Sequence, residues 1–184
     1  TFSLRRHYDV KQTSGKGNTM KSKVLILGAT GGIGREIARK LIREKWDVHA
    51  LHRSAPAHEE REGITWTGGD ALNAQQVVAA ASECSVIVHA VNPPGYRNWE
   101  QRVLPMLQKT INAAERNGAL IVLPGTVYNY GPDAFPLLRE DSPQNPVTRK
   151  GAIRVQMEKD AQAAKARFDR DSSDAIRAAL TEVE

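Results

Sequence analysis

Gly28, Gly31 and Gly34 recur at a spacing of three in the segment Gly28-Ala29-Thr30-Gly31-Gly32-Ile33-Gly34. Three separate physical needs call for glycine there: a tight turn, a close approach of backbone to a pyrophosphate, and close packing of a helix on a sheet. Such a turn leads into a helix whose unpaired N–H groups and positive dipole end face the phosphates. The chemistry implied is dinucleotide binding, with Gly28, Thr30, Gly31, Gly32, Ile33 and Gly34 as contacts. A second signal comes at Leu51-His52-Arg53-Ser54. A carboxylate at that place would hold a ribose 2′-hydroxyl and favour NAD(H); none is present, and Arg53 suits a 2′-phosphate. NADP(H) is therefore favoured with NAD(H) as the alternative, and Arg53 as a plain solvated charge stays open.

Other chemistries find little support. The histidines (His7, His49, His52, His58, His89) have no paired spacing with cysteines or carboxylates that would make a zinc site, so no metal is implied. Cys84 is the single cysteine and cannot form an internal disulfide; it precedes the apolar run Val86-Ile87-Val88, where a small buried side chain is expected.

The elements that must position the glycines follow from periodicity. Short apolar runs rich in β-branched residues predict strands at Val24–Leu27, Val48–Leu51, Ile64–Thr67, Val86–Ala90 and Leu120–Leu123. Between the first two, Ile33, Ile37, Leu41 and Ile42 recur at helical spacing, with Arg35, Glu36, Arg39, Lys40 and Glu44 on the other face. Further helices are expected at about 73–82, at about 98–117 with its stop at Asn117-Gly118, and from about 150 onward. Strands alternating with helices predict an α/β fold, a Rossmann-type doubly wound parallel sheet, over residues 21–158. Residues 159–184 are charged and alanine-rich and predict a helical extension of one or two helices.

Composition narrows the partners. The 184 residues carry a net charge of +5, and residues 1–23 hold six basic groups against one acid, Asp9, which accounts for all of it. The remainder is balanced, so no basic face for nucleic acid is expected. Residues 1–20 are polar, glycine-containing and without period, as a flexible basic tail would be. No apolar run reaches membrane-spanning length and no secretory segment is evident, which predicts a cytoplasmic protein with no membrane partner.

Over Lys23 to about Glu158 the chain resembles the short-chain dehydrogenase/reductase superfamily, specifically its extended and atypical branches with the NAD-dependent epimerase/dehydratase proteins. The glycines at first, fourth and seventh positions have that superfamily's spacing. Gly69-Asp70 matches the place where the family sets an aspartate near the adenine, although Asp70 could equally cap the helix that follows. Ala90, the last residue of the fourth expected strand, and Asn92 just after it join the cofactor contacts. Gly125-Thr126-Val127-Tyr128-Asn129-Tyr130-Gly131 is similar to the segment whose hydroxyl holds the substrate's reacting oxygen, which falls on Thr126; a hydroxyl serving only the backbone is the alternative.

The resemblance then breaks. The family's Tyr-x-x-x-Lys pair is followed by Glu four residues after the lysine, and counting back from Glu158 puts Arg154 and Lys150 where the lysine and tyrosine belong. Their spacing would place both on one helix face, where the guanidinium disfavours the charged lysine and Lys150 could act as acid/base if desolvated. Tyr128 or Tyr130 could instead supply a phenol, and two solvated charges or a phosphate clamp remain alternatives. Family members are also longer, so the C-terminal substrate-binding portion is expected to be missing or truncated, with homodimer formation across an open sheet edge as one consequence. The resemblance implies an NADP(H)-binding oxidoreductase or isomerase acting on a carbonyl or alcohol of a small molecule such as a nucleotide sugar. A non-catalytic redox regulator and an inactive fragment are the alternatives.

Overall fold

The computed structural model describes residues 22–56, 58–93, 95 and 98–181. Its elements are β1 (Lys23–Leu27), α1 (Gly32–Arg43), β2 (Asp47–His52), β3 (Glu59–Arg61), β4 (Ile64–Gly68), α2 (Ala74–Ala80), β5 (Val86–His89), α3 (Trp99–Asn117), β6 (Leu120–Val122) and α4 (Arg149–Thr181), with single 3-10 turns at Val127–Asn129 and Pro132–Ala134. The sheet runs β3-β4-β2-β1-β5-β6, parallel except for β3. All five expected strands are present with ends within one residue of the sequence reading. Each expected helix also forms, and the last runs unbroken from Arg149 to Thr181, across the boundary expected at 158. The basic tail, residues 1–20, lies outside the described residues.

Alternation along β1 explains the layering. Val24 and Ile26 face α1 in a cluster with Ala38, Val48, Ala50, Ile64, Trp66 and Val88. Leu25 and Leu27 face the other way, against Val77 of α2, Ile87, and Ala113 and Ala114 of α3. Val24 to Leu27 are fully buried because helices cover both faces, the condition a parallel sheet requires. A third cluster joins Val103, Leu107 and Ile111 of α3 to Met157 and Ala164 of α4. On β6, at the sheet's edge, Leu120 and Val122 stay exposed.

β3 is a strand that periodicity does not show. Glu59-Glu60-Arg61 carries no apolar residue, and it pairs antiparallel with β4 through a two-residue turn. Glu62 and Gly63 both have positive φ (55° and 74°), the signature of a tight primed hairpin turn.

Cys84 sits between α2 and β5, 2% exposed, with Sγ 3.8 Å from the Ala80 carbonyl oxygen. Burial pushes its thiol up to about 11. Because thiolate is the reactive form, native protein at pH 8 should resist iodoacetamide and label fully only in denaturant. Rapid labelling without denaturant would show that this junction does not pack as described.

Candidate functional site

The glycine turn joins β1 to α1 where the strand order reverses, with β2 and β4 on one side of β1 and β5 and β6 on the other. Ligands of open α/β sheets bind at such switch points, beyond the carboxyl ends of the strands. Gly28 has φ +91°, and a Cβ added to it would lie 2.6 Å from the Ala90 carbonyl oxygen. A Cβ on Gly34 would lie 2.2 Å from the Gly28 carbonyl oxygen. Both positions thus exclude every other residue. Gly31 donates its N–H to Gly28 (3.0 Å) and then forms the N-cap of α1, with no side chain capping the helix and no acid in its first turn. Thr30, Gly31, Gly32 and Ile33 are exposed there. An uncapped, open helix start with no anion of its own is a cradle that fits a pyrophosphate.

Arg53 follows the carboxyl end of β2, next to β1, and is exposed. The chain before it is held by His52, whose Nδ1 accepts from the Ser54 N–H (3.2 Å) and whose ring meets Trp66 edge-on at 6.2 Å. Asp70 accepts from the Leu72 N–H through Oδ1 (2.9 Å), whereas Asn73 caps α2 by accepting from the Gln76 N–H. Helix capping is therefore Asn73's task and not that of Asp70.

A cleft of about 180 Å³ brings Ile33, Ala90, Asn92, Thr126, Tyr128, Lys150 and Arg154 together. Arg53 and Asp70 do not line it. Thr126 has extended backbone and its Oγ1 accepts from the Tyr128 N–H at 3.4 Å. Arg154 is 9% exposed and donates from Nη2 to the Pro124 carbonyl oxygen (2.5 Å), tying α4 to the segment that carries Thr126. Its burial pulls the guanidinium below its ordinary range, which Glu158 partly opposes. The start of α4 lies directly on the Tyr128 backbone, because Gly151 has no side chain: a Cβ there would stand 2.2 Å from the Tyr128 carbonyl oxygen. One residue earlier, the Lys150 ammonium lies 4.5 Å from the centroid of the Tyr128 ring and 5.8 Å from that of Trp99.

Among the cleft residues that carry no site role in the sequence reading are His89 and Trp99. Trp99 opens α3 and donates from Nε1 to Asn92 Oδ1 (3.3 Å), which orients a predicted cofactor contact. His89 ends β5 and is 2% exposed. His89 Nδ1 lies 2.8 Å from Thr110 Oγ1, and with Nδ1–H as the donor the hydroxyl is left to donate to the Met106 carbonyl oxygen (3.3 Å). Nε2 then carries a bare lone pair, buried and without a partner among the described residues. A polar residue closing an otherwise apolar strand was the available signal.

The chain belongs to the NAD(P)H-binding family, whose match spans residues 28–165. No curated protein sequence matches the chain. Among solved structures, UDP-N-acetylglucosamine 4-epimerase from Bacillus cereus superposes with a TM-score of 0.66 at 16% identity, over 78% of this chain and 50% of that one. Uronate dehydrogenase from Agrobacterium tumefaciens gives 0.65 at 22% identity, over 80% and 57%. The Bordetella bronchiseptica enzyme WbmH, in complex with NAD+, gives 0.65 at 22% identity, over 79% and 53%. These likenesses establish a fold shared with sugar epimerases and dehydrogenases, and the chain spans about half the length of those proteins.

Desolvation, aided by the Arg154 charge, lowers the His89 imidazole to about 4 from an ordinary 6.5. The unfolded chain therefore takes up a proton that the folded chain refuses, so this contribution is fully present above pH 6.5 and is lost as pH falls toward 4. The loss amounts to roughly 3 kcal/mol. Denaturant melts of the wild type and a His89→Phe variant should differ by a constant above pH 7, with the difference shrinking or reversing between pH 6.5 and 4. A difference that does not change with pH would mean that His89 is not buried neutral.

Proposed function

We propose that this chain binds NADP(H) in preference to NAD(H) and, with it, interconverts a carbonyl and an alcohol on a small-molecule substrate such as a sugar or nucleotide sugar. The observation that carries the proposal is the convergence of Ile33, Ala90 and Asn92 with Thr126 and Tyr128 in one cleft beside the uncapped start of α1. Gly28 to Gly34 would hold the pyrophosphate, and Arg53 the 2′-phosphate. When bound, the nicotinamide supplies or accepts the hydride; the chain's own groups do the rest. Thr126, fixed through Pro124 by Arg154, holds the reacting oxygen. Tyr128, half exposed at the cleft, would exchange the proton. Asp70 would serve the adenine.

A second reading, a non-catalytic redox regulator, draws on Arg154. That residue occupies the expected lysine position, yet its guanidinium is turned onto a backbone carbonyl.

Calorimetric titration with both nucleotides in both oxidation states tests the assignment. The expectation is tighter binding of NADP(H), weakened about tenfold, or about 1.4 kcal/mol, by Arg53→Ala with NAD(H) affinity unchanged. Equal affinity for the two nucleotides in the wild type would remove Arg53 from the site. A regulator would further show a marked difference between oxidised and reduced forms and no turnover.

A further inference from the structure

Two polar side chains are buried in the wall of the cleft with bonding capacity left over. His89 is 2% exposed and Arg154 9%, and both line the cleft. His89 Nε2 and Arg154 Nε have no hydrogen-bond partner among the described residues. Leaving one buried polar atom unpaired is costly, so two in a single wall call for a partner that arrives with a ligand.

The two atoms are complementary in kind. With Nδ1–H given to Thr110 on α3, the other nitrogen of the His89 ring presents a lone pair directed away from that helix. Burial, and then the field of the Arg154 guanidinium, keep the imidazole neutral, so Nε2 remains an acceptor at neutral pH. Arg154 is committed through its other nitrogens: Nη2 donates to the Pro124 carbonyl oxygen (2.5 Å) and Nη1 lies 3.6 Å from Met157 Sδ. Those contacts fix the guanidinium plane and leave Nε–H as a donor. One acceptor and one donor in the same wall match a group that carries a donor and an acceptor side by side, which is the pattern of a primary amide. The cleft also holds Ile33, Ala90 and Asn92, the expected cofactor contacts, together with Thr126. On that reading the end of the dinucleotide that meets Thr126 is the nicotinamide, and its carboxamide is such a group.

We propose that His89 and Arg154 form the seat of the nicotinamide carboxamide, with His89 Nε2 accepting from the amide N–H and Arg154 Nε–H donating to the amide oxygen. Both residues bind and orient the ring and exchange no proton with it. The proposal rests on the reading of this chain as a dinucleotide-binding protein. Arg154 then has two tasks in one planar group: Nε holds the ring, and Nη2 holds Pro124 and with it the segment of Thr126. The ring and the hydroxyl are thereby set relative to each other by a single side chain.

NADP+, its 3-acetylpyridine analogue and 2′-phospho-ADP-ribose, titrated calorimetrically into the full chain, test this seat. The analogue keeps the carbonyl and carries a methyl in place of the amide nitrogen, so it forfeits the bond to His89 alone; 2′-phospho-ADP-ribose has no pyridine ring. The wild type should bind NADP+ about tenfold or more tightly than the analogue. His89→Phe should bring that ratio below about twofold, whereas Arg154→Met should weaken NADP+ and the analogue by equal factors, since both offer the carbonyl. An affinity for 2′-phospho-ADP-ribose equal to that of the wild type shows that a variant has folded; if one has not, the wild-type ratio alone decides. Equal affinity of the wild type for NADP+ and the analogue, or a ratio that survives His89→Phe, would overturn the proposal while leaving the cofactor reading intact. Failure of the wild type to bind any of the three would overturn the cofactor reading and this proposal with it.

Discussion

Three stretches of backbone meet at the carboxyl edge of β1 with no room for a side chain between them. Gly28 abuts Ala90 at the end of β5, and Gly34, in the first turn of α1, abuts Gly28 itself. This double contact draws α1 onto the sheet and places its amino end at the switch point of the strand order. The N–H groups of that first turn lack both a side-chain cap and a neighbouring acid, which is unfavourable for an isolated helix and useful for one that meets phosphates. The remaining site features depend on this placement, since Ala90 and Asn92 leave β5 at the same point.

The far side of the cleft is built by a second backbone contact of the same kind. Gly151 lets α4 rest on the Tyr128 carbonyl, and Arg154 reaches from the next turn to the Pro124 carbonyl. The helix thus holds the segment Pro124–Tyr128 by main-chain contacts on both sides of Thr126, so that the hydroxyl's position is set by a rigid element and not by the loop alone. Packing of Met157 and Ala164 against α3 anchors that helix in turn. The charges at the beginning of α4 consequently line the same cleft as Ile33, Ala90 and Asn92.

Much of this was legible because burial leaves a period in the sequence. Val24 to Leu27 is apolar without interruption because helices cover both faces, and Ile37, Leu41 and Ile42 show the single face that α1 turns to the sheet, whereas Ile33, expected on that face, is exposed at the cleft. Even Pro105, which removes one hydrogen bond from α3, does not interrupt that helix, whose Val103, Leu107 and Ile111 are buried around it. β3 was not legible, because Glu59-Glu60-Arg61 is held by main-chain pairing and a turn at Glu62-Gly63 rather than by burial. The cleft was legible only in part. Glycine spacing and the position of Thr126 pointed to it, but the contacts of His89 with Thr110, and of Lys150 with Tyr128 and Trp99, link distant parts of the chain and have no local pattern.

If α1 opens onto a pyrophosphate, Gly31 is glycine for the sake of that phosphate and not for the sake of the fold. Its backbone is extended (φ −80°, ψ 166°), a conformation any residue adopts, and a Cβ there would meet only the Gly28 carbonyl oxygen, at 3.3 Å. Aspartate is a better N-cap than glycine by a few tenths of a kcal/mol, roughly enough to offset that tight contact, but its carboxylate would occupy the phosphate seat. The decisive measurement is therefore the melting temperature of Gly31→Asp together with its affinity for NADP(H) and NAD(H). The variant should melt within a few degrees of the wild type and lose both nucleotides a hundredfold or more; a folded variant that still binds either one normally would show that no phosphate sits at Gly31.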